Sequence, residues 1–274
     1  MTVGELVKQI MGATSPEYHG LRAKEQSYRT CDGLLCGDPD KEAARVATTF
    51  VVTVDVLRQA IAQGVDMIIS HEPLFCMPDG LMQWNLSAVD EEKRAMIESS
   101  GIAVMRFHDG MHAVRPDLIY RGWMKEFGWE AYNQPGPNNH LFVLPQTTMG
   151  AVAEELKQHL NMNHIRAFGS PNMPVSRVGV LVGGGSQGLG DPMMPMNFCL
   201  DERLDLLICG EIMELTLPYF AADAAALGHS LCMLVAGHNR SEEVGMKHLT
   251  QWLAQKAPGA EYCFIEAGDP LYSL

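Results

Sequence analysis

Apolar and polar residues alternate along this chain in blocks that predict strands followed by helices. The clearest block begins at Val46. Ala47 to Val54 is rich in β-branched residues and reads as a strand. Asp55 to Gln63 carries Val56, Ala60 and Ile61 as a helix would, and Gly64 closes it. Val65 to Ser70 is the next strand, an apolar run that stops at His71-Glu72-Pro73. This β-α-β order implies parallel strands and a right-handed crossover. Glu91 to Ser99 then reads as a helix ended by Gly101, Ile102 to Phe107 as a strand, and Pro116 to Phe127 as a helix. Upstream, Val3 to Met11 has the pattern of a short amphipathic helix. Residues 14–45 are polar and broken by Pro16, Gly20, Gly33, Gly37 and Pro39, with Asp32 to Cys36 able to form a strand before a turn.

Gly128 to Asn139 is loop-like, with Pro135-Gly136-Pro137 as a break, and places a domain boundary. Beyond it a smaller α/β layer is expected, with strands at Leu141–Leu144, His164–Phe168 and Arg177–Val182 and a helix at Met149–Leu160. Gly183-Gly184-Gly185-Ser186-Gln187-Gly188 formally fits a dinucleotide-binding G-x-G-x-x-G. That motif must open a helix, and Gly190, Pro192 and Pro195 argue against one, so a loop close to a ligand is expected instead. The first pattern then resumes. Leu204–Cys209 and Ser230–Ala236 read as strands, Thr216–Leu227 as a helix, and Tyr262–Ile265 as a last strand. A helix is expected from about Glu242 to Gln255 with Ser241 as its cap. Asp66 to Glu72 and Asp205 to Glu211 share a plan of Asp, apolar run, small or polar pair, then Glu.

Composition narrows the function. A chain of 274 residues has room for one large or two ordinary domains. Its formal net charge of −13 argues against a nucleic-acid partner or an anionic membrane surface, since both need clustered Lys and Arg. No apolar run reaches the length of a membrane span, and the first residues lack a signal-peptide pattern. The seven cysteines include no C-x-x-C pair and mostly sit in apolar runs, which suggests reduced thiols and a cytoplasmic protein. Cys31 and Cys36 are the least core-like, but their spacing fits no standard zinc pattern.

Four expected strand ends carry imidazoles or carboxylates: His71-Glu72, His108-Asp109 with His112, Glu211, and His238 with Glu242. Ligands of open α/β folds gather at the carboxyl ends of strands. One histidine there is most simply structural, whereas four such ends together suggest metal ligation. Imidazole with carboxylate suits zinc, iron, manganese or nickel. Five or so ligands are too many for one tetrahedral site and fit two adjacent ions better, an arrangement suited to hydrolysis. Glu211 or His108 could move protons. Glu211 could equally be a salt-bridged carboxylate behind a ligand.

The set Ile68-Ile69-Ser70-His71-Glu72-Pro73-Leu74-Phe75, Phe107-His108-Asp109 with His112, Ile208-Cys209-Gly210-Glu211 and Gly237-His238-Asn239-Arg240-Ser241-Glu242 resembles the NIF-three family of dinuclear metal-centre proteins. Some of its members are named GTP cyclohydrolase I type 2. The resemblance spans nearly the whole chain. It implies a two-domain α/β fold with mixed or parallel sheets flanked by helices. Residues 1–130 and 212–274 would form the metal-binding domain, and residues 131–211 a smaller inserted one. It also implies a homo-hexamer and two divalent ions, with His71, Glu72, His112, His238 and Glu242 as the matching ligands; a small-molecule substrate is expected, with Glu211, His108 and Asp109 as candidate catalytic groups.

This chain departs from the family pattern at two positions. The family has a second histidine where Glu72 stands, and an aspartate where His112 stands. The count of three imidazoles and two carboxylates is unchanged, so exchanged ligand types and a retained metal pair are expected. The rival is a rearranged or single-metal site using Asp109 or His108. The expected activity is metal-assisted hydrolysis of a cyclic C–N bond or an ester, with GTP ring opening in doubt. The rival is a non-catalytic metal-dependent regulator or scaffold.

Overall fold

A computed structural model describes residues 1–14, 30–75, 87–134 and 140–271. The expected polar segment falls partly outside these residues, at 15–29, as do Pro135-Gly136-Pro137 and Cys76. The fold class is α/β, with two mixed sheets flanked by helices. The chain divides into two compact units, Met1–Gly122 with Gly245–Ala267, and Trp123–Val244 with Gly268–Leu274. These bounds differ from the expected 1–130, 131–211 and 212–274. Residues 212–244 stay with the middle unit because the strand at Cys232–Val235 pairs with the strand at Leu206–Cys209.

The first unit is built on helix α1 (Val3–Gly12), strands β1 (Gly33–Cys36) and β2 (Arg45–Thr49), helix α2 (Val54–Ala62), strand β3 (Met67–Ser70), helix α3 (Ala88–Ser100), strand β4 (Ala103–Arg106) and the short helix α4 (Asp109–Ala113). The sheet order is β1-β4-β3-β2-β10, where β10 is Glu261–Phe264. Strands β4, β3, β2 and β10 are parallel, and β1 is antiparallel to β4. Successive side chains of a strand point to opposite faces. Ala47, Ile68 and Val104 therefore share one core with Val56, Leu57 and Ala60 of α2 and Ile97 of α3. Val46, Met67, Ile69 and Met105 point the other way and are also fully buried, as expected of a parallel sheet covered on both faces.

Strand β2 is shorter than its β-branched run because Thr53 is recruited as a cap. Its hydroxyl accepts from Val56 N at 3.1 Å and starts α2. Helix α3 starts three residues before the expected Glu91, where Ser87 and Asp90 form a reciprocal capping box.

The second unit has β5 (Leu141–Thr148), α6 (Met149–His159), β6 (Arg166–Phe168), β7 (Pro174–Leu181), α7 (Met194–Asp201), β8 (Leu206–Cys209), α8 (Leu217–Ala226) and β9 (Cys232–Val235). Helix α5 (Leu118–Phe127) precedes β5 and helix α9 (His238–Lys256) follows β9. The division between units falls inside both. Here the sheet order is β5-β7-β8-β9-β6, with β7, β8 and β9 parallel. Residues of α7 and α8 join Leu181, Leu207, Cys209, Met233 and Val235 in one core. The sequence reading missed α7 by taking prolines as breakers, but Pro195 lies in the first turn, where its missing N–H costs nothing. Among the described residues, no helix is long and apolar enough to cross a membrane.

The self-similarity of Asp66–Glu72 and Asp205–Glu211 has a physical basis. Asp66 Oδ2 accepts from Ala44 N and Arg45 N at 3.0 Å each, at the entry of β2. Asp205 Oδ2 accepts from Ser176 N and Arg177 N at 2.9 Å each, within β7. Each carboxylate thus clamps the strand beside its own and fixes the register there. Replacing Asp66 or Asp205 with Ala leaves two amides without this acceptor. Each variant is expected to lose about 1–3 kcal/mol, measured by urea unfolding; a loss below about 0.5 kcal/mol, the scale of ordinary surface changes, would show that the clamp is dispensable.

Candidate metal centre

In the first unit, β2, β3 and β4 run parallel and their carboxyl ends lie at one edge of the sheet. His71 follows β3 directly. Its backbone N–H is shared between the carbonyls of Thr49 and Phe50, at 3.3 and 3.1 Å, so the imidazole is anchored at the sheet edge and wholly buried. The chain leaving β4 enters α4, which carries His108 at its start and His112 near its end. The ring centroids are 4.5 Å apart for His71–His108, 5.3 Å for His71–His112 and 5.0 Å for His108–His112. One ring nitrogen from each of the three lies within 4.8 Å of the others.

The hydrogen bonds decide which nitrogen each ring can offer. His71 Nδ1 is 3.3 Å from Phe107 O. A carbonyl only accepts, so Nδ1 carries the proton and Nε2 the lone pair. His112 Nδ1 lies 2.8 Å from Asp117 Oδ2, and His108 Nδ1 3.0 Å from Asp109 Oδ1. All three rings are therefore held as Nδ1–H tautomers by a carbonyl or a carboxylate. Metal-binding histidines are held this way, with the second nitrogen left as donor. Three imidazoles oriented like this suit a divalent transition ion.

The supporting carboxylates are themselves fixed. Asp117 Oδ1 accepts from Ile119 N at 2.8 Å and from Tyr120 N at 3.3 Å, capping α5. Asp109 Oδ2 accepts from Thr30 Oγ1 at 3.1 Å and Cys31 N at 3.3 Å. Asp32 accepts from the backbone of His108, Asp109 and Gly110. The sequence reading assigned no role to Asp32 or Asp117. Asp117 stands just before a helical run, which is a cap signal, but its link to His112 is visible only in three dimensions.

Glu72 faces a different group. Its Oε2 is 3.6 Å from Arg106 Nη2, and Arg106 Nε donates to His71 O at 3.1 Å. Arg106 is buried, so a fixed positive charge sits beside Glu72. Cys31 forms a second candidate group with His108 and Asp109. Burial, reinforced by the nearby carboxylates of Asp109 and Asp32, pushes its thiol up to about 12.

The second unit holds the other expected residues. His238 is the first residue of α9. Its Nδ1 lies 3.2 Å from Glu211 Oε2 and its Nε2 3.0 Å from Glu242 Oε2, one turn along the helix. Glu242 is buried and Glu211 half exposed, with Gln187 Nε2 donating to Glu211 Oε2 at 3.0 Å. The helix starts at His238 rather than near Glu242, because the left-handed turn at Gly237 ends β9 and begins it at once. Ser241 is consequently inside the helix and not its cap. Its Oγ accepts from Gly183 N at 2.9 Å and donates to His238 O at 2.8 Å.

The triglycine loop forms a 3-10 turn at Gly183–Gln187 rather than an α-helix. Its first glycine has a steric reason. A Cβ on Gly183 would lie 1.9 Å from Glu242 Oε1, and its φ is +51°. The backbone approaches the carboxylate as a side chain could not.

Two outcomes follow from this geometry. Gly183→Ala must displace Glu242 and strain the loop, so it should cost about 1–3 kcal/mol by urea unfolding; an unchanged midpoint would contradict the close approach. The neutral Cys31 thiol should react slowly with iodoacetamide at pH 8, its rate climbing towards pH 12 in peptide mapping. Rapid labelling at neutral pH would mean that the thiol is not shielded.

Comparison with known proteins places this arrangement in a family. The chain is 24% identical over 227 residues to the GTP cyclohydrolase 1 type 2 homolog of Lactococcus lactis, covering 78% of this chain and 85% of the relative. It is 21% identical over 277 residues to the GTP cyclohydrolase 1 type 2 homolog of Chlamydia trachomatis, covering 98% and 100%. Among solved structures, the Bacillus cereus protein related to NIF3 superposes with a TM-score of 0.72 at 16% identity, covering 100% of this chain and 99% of that one. TTHA1606 from Thermus thermophilus superposes with a TM-score of 0.68 at 19% identity, covering 99% and 100%. These likenesses carry the fold. The sequence profile of the Duf34/NIF3 (NGG1p interacting factor 3) family matches residues 18–270, and the chain belongs to that family.

Proposed function

We propose that this protein is a metal-dependent hydrolase acting on a small molecule, with a divalent ion held by Nε2 of His71, His108 and His112. The observation that carries this reading is the common tautomer of the three rings. Each has its Nδ1 facing an acceptor, which places the lone pair of that tautomer on Nε2. In the other unit His238 and Glu242 furnish an imidazole and a carboxylate, and the family resemblance implies that they are ligands too. Names given to relatives with GTP cyclohydrolase are compatible with hydrolysis of a cyclic C–N bond. An ester would suit the same chemistry. A bound ion would supply Lewis acidity to the bond being cleaved.

The protein's own residues do the rest. Asp109 accepts the proton of His108 Nδ1, and Asp117 that of His112 Nδ1, which fixes the orientation of both rings. Glu211 Oε2 orients His238 through Nδ1, and its exposure to solvent makes it the group best able to exchange a proton with water. A cytoplasmic homo-hexamer is part of the same proposal and rests on the composition and the family resemblance.

Metal analysis of protein purified without chelators, with a hydrolysis panel of esters and cyclic amides, tests the reading. Bound divalent ion is expected. His71→Ala and His112→Ala should weaken its affinity by at least tenfold, in line with the 10–100-fold losses seen even for groups behind the ligands. His238→Ala should abolish turnover. No bound ion, either as purified or after reconstitution, would overturn the metal assignment. A metal-replete protein inert across the panel would overturn the hydrolase.

A further inference from the structure

The short strap at Thr30-Cys31-Asp32 hydrogen-bonds to the start of the helix that carries His108 and His112. Asp32 Oδ1 accepts from His108 N at 2.7 Å and Asp109 N at 3.0 Å, and Oδ2 accepts from Gly110 N at 2.6 Å. One carboxylate therefore takes three consecutive amides at the start of the helix that presents His108 and His112. An N-terminal turn leaves such amides without helical partners, and something must accept from them. Helix α4 has no cap of its own, because His108 stands at its N-cap and makes no side-chain capping bond. Its five residues are too few to hold a helix by themselves. The carboxylate supplies from a distant part of the sequence what the local sequence lacks.

The strap acts on the side chain as well. Asp32 N donates to Thr30 Oγ1 at 3.1 Å, which fixes the hydroxyl. That hydroxyl and Cys31 N both reach Asp109 Oδ2, while Asp109 Oδ1 faces His108 Nδ1. Residues 30–32 thus set the position of His108 through its backbone and its tautomer through Asp109. Gly110 completes the fit. A Cβ there would lie 2.9 Å from Asp32 Oδ2 and 2.5 Å from the Phe107 ring, so only a glycine lets the carboxylate in.

We infer that Asp32 is a positioning residue, whose carboxylate locks α4 so that His108 and His112 present Nε2 beside His71. This rests on the metal-binding reading of the three imidazoles. The role differs from general stabilisation, and Asp66 offers a matched control. It too is a carboxylate that accepts two backbone amides in the same unit, at the opposite end of β3 from His71.

The experiment compares Asp32→Asn, Asp66→Asn and the unchanged protein. Cobalt(II) affinity is measured by calorimetric titration. Histidine ring tautomers are read from long-range proton–nitrogen spectra of metal-free protein. Asparagine keeps the shape of Asp32 but turns one acceptor into a donor facing Gly110 N. Asp32→Asn should weaken cobalt binding by about tenfold, the scale expected for a group behind the ligands. It should also move the His108 ring from Nδ1–H towards a mixture of tautomers. Asp66→Asn should lower the thermal midpoint while leaving both readouts in place. Unchanged cobalt affinity and His108 tautomer in Asp32→Asn, or equal losses in the two variants, would overturn the assignment. A protein that binds no cobalt would remove the metal-binding reading, and the tautomer comparison would still decide whether Asp32 positions the ring.

Discussion

An imidazole can offer a lone pair in a fixed direction only when its other nitrogen is held. Three rings in the first unit meet that condition by three different means. His71 uses a backbone carbonyl at the end of the neighbouring strand, His112 uses the cap of the following helix, and His108 uses the carboxylate next to it. Everything around them serves this constraint. The parallel register of β2, β3 and β4 brings two strand ends to one edge, the shared amide of His71 anchors its ring, and Asp117 is shared between a helix cap and an imidazole. The same few carboxylates thus satisfy backbone amides and set side-chain tautomers.

The two sheets repeat one solution. Asp66 and Asp205 each clamp an adjacent strand through paired amides, and each strand then delivers a glutamate beyond its carboxyl end. The surroundings of those glutamates differ. Glu72 meets the guanidinium of Arg106, whereas Glu211 meets His238 and Gln187. A common backbone plan has been given different electrostatic partners. In the second unit the backbone at Gly183 is shaped around the Glu242 carboxylate.

Much of the fold is legible in the sequence because parallel strands buried on both faces are apolar runs, as at Met67–Ile69 and Leu206–Ile208. The candidate residues were legible for a related reason. His71, His108 and Glu211 follow such runs directly, and polar groups at that point are either solvated or functional. What escaped the sequence depends on partners far away along the chain. Asp32 lies more than seventy residues from the amides it accepts. Ser241 looked like a cap because caps are read locally, yet Gly237 starts the helix earlier and frees Ser241 to hold Gly183. Helix α7 was missed because a proline breaks a helix interior but suits its first turn. The units' boundaries moved because strand pairing, not chain order, decides where Cys232–Val235 belongs.

The central claim is that Nε2 of His71, His108 and His112 together bind a divalent ion. A crystal structure of metal-loaded protein, with anomalous data collected on both sides of the metal's absorption edge, tests it most directly. The account predicts an anomalous peak about 2.0–2.1 Å from all three Nε2 atoms, the usual zinc–imidazole distance, with the Nδ1 contacts to Phe107, Asp109 and Asp117 preserved. A peak bonded through Nδ1 of any of these rings, or one that omits His108, would contradict it.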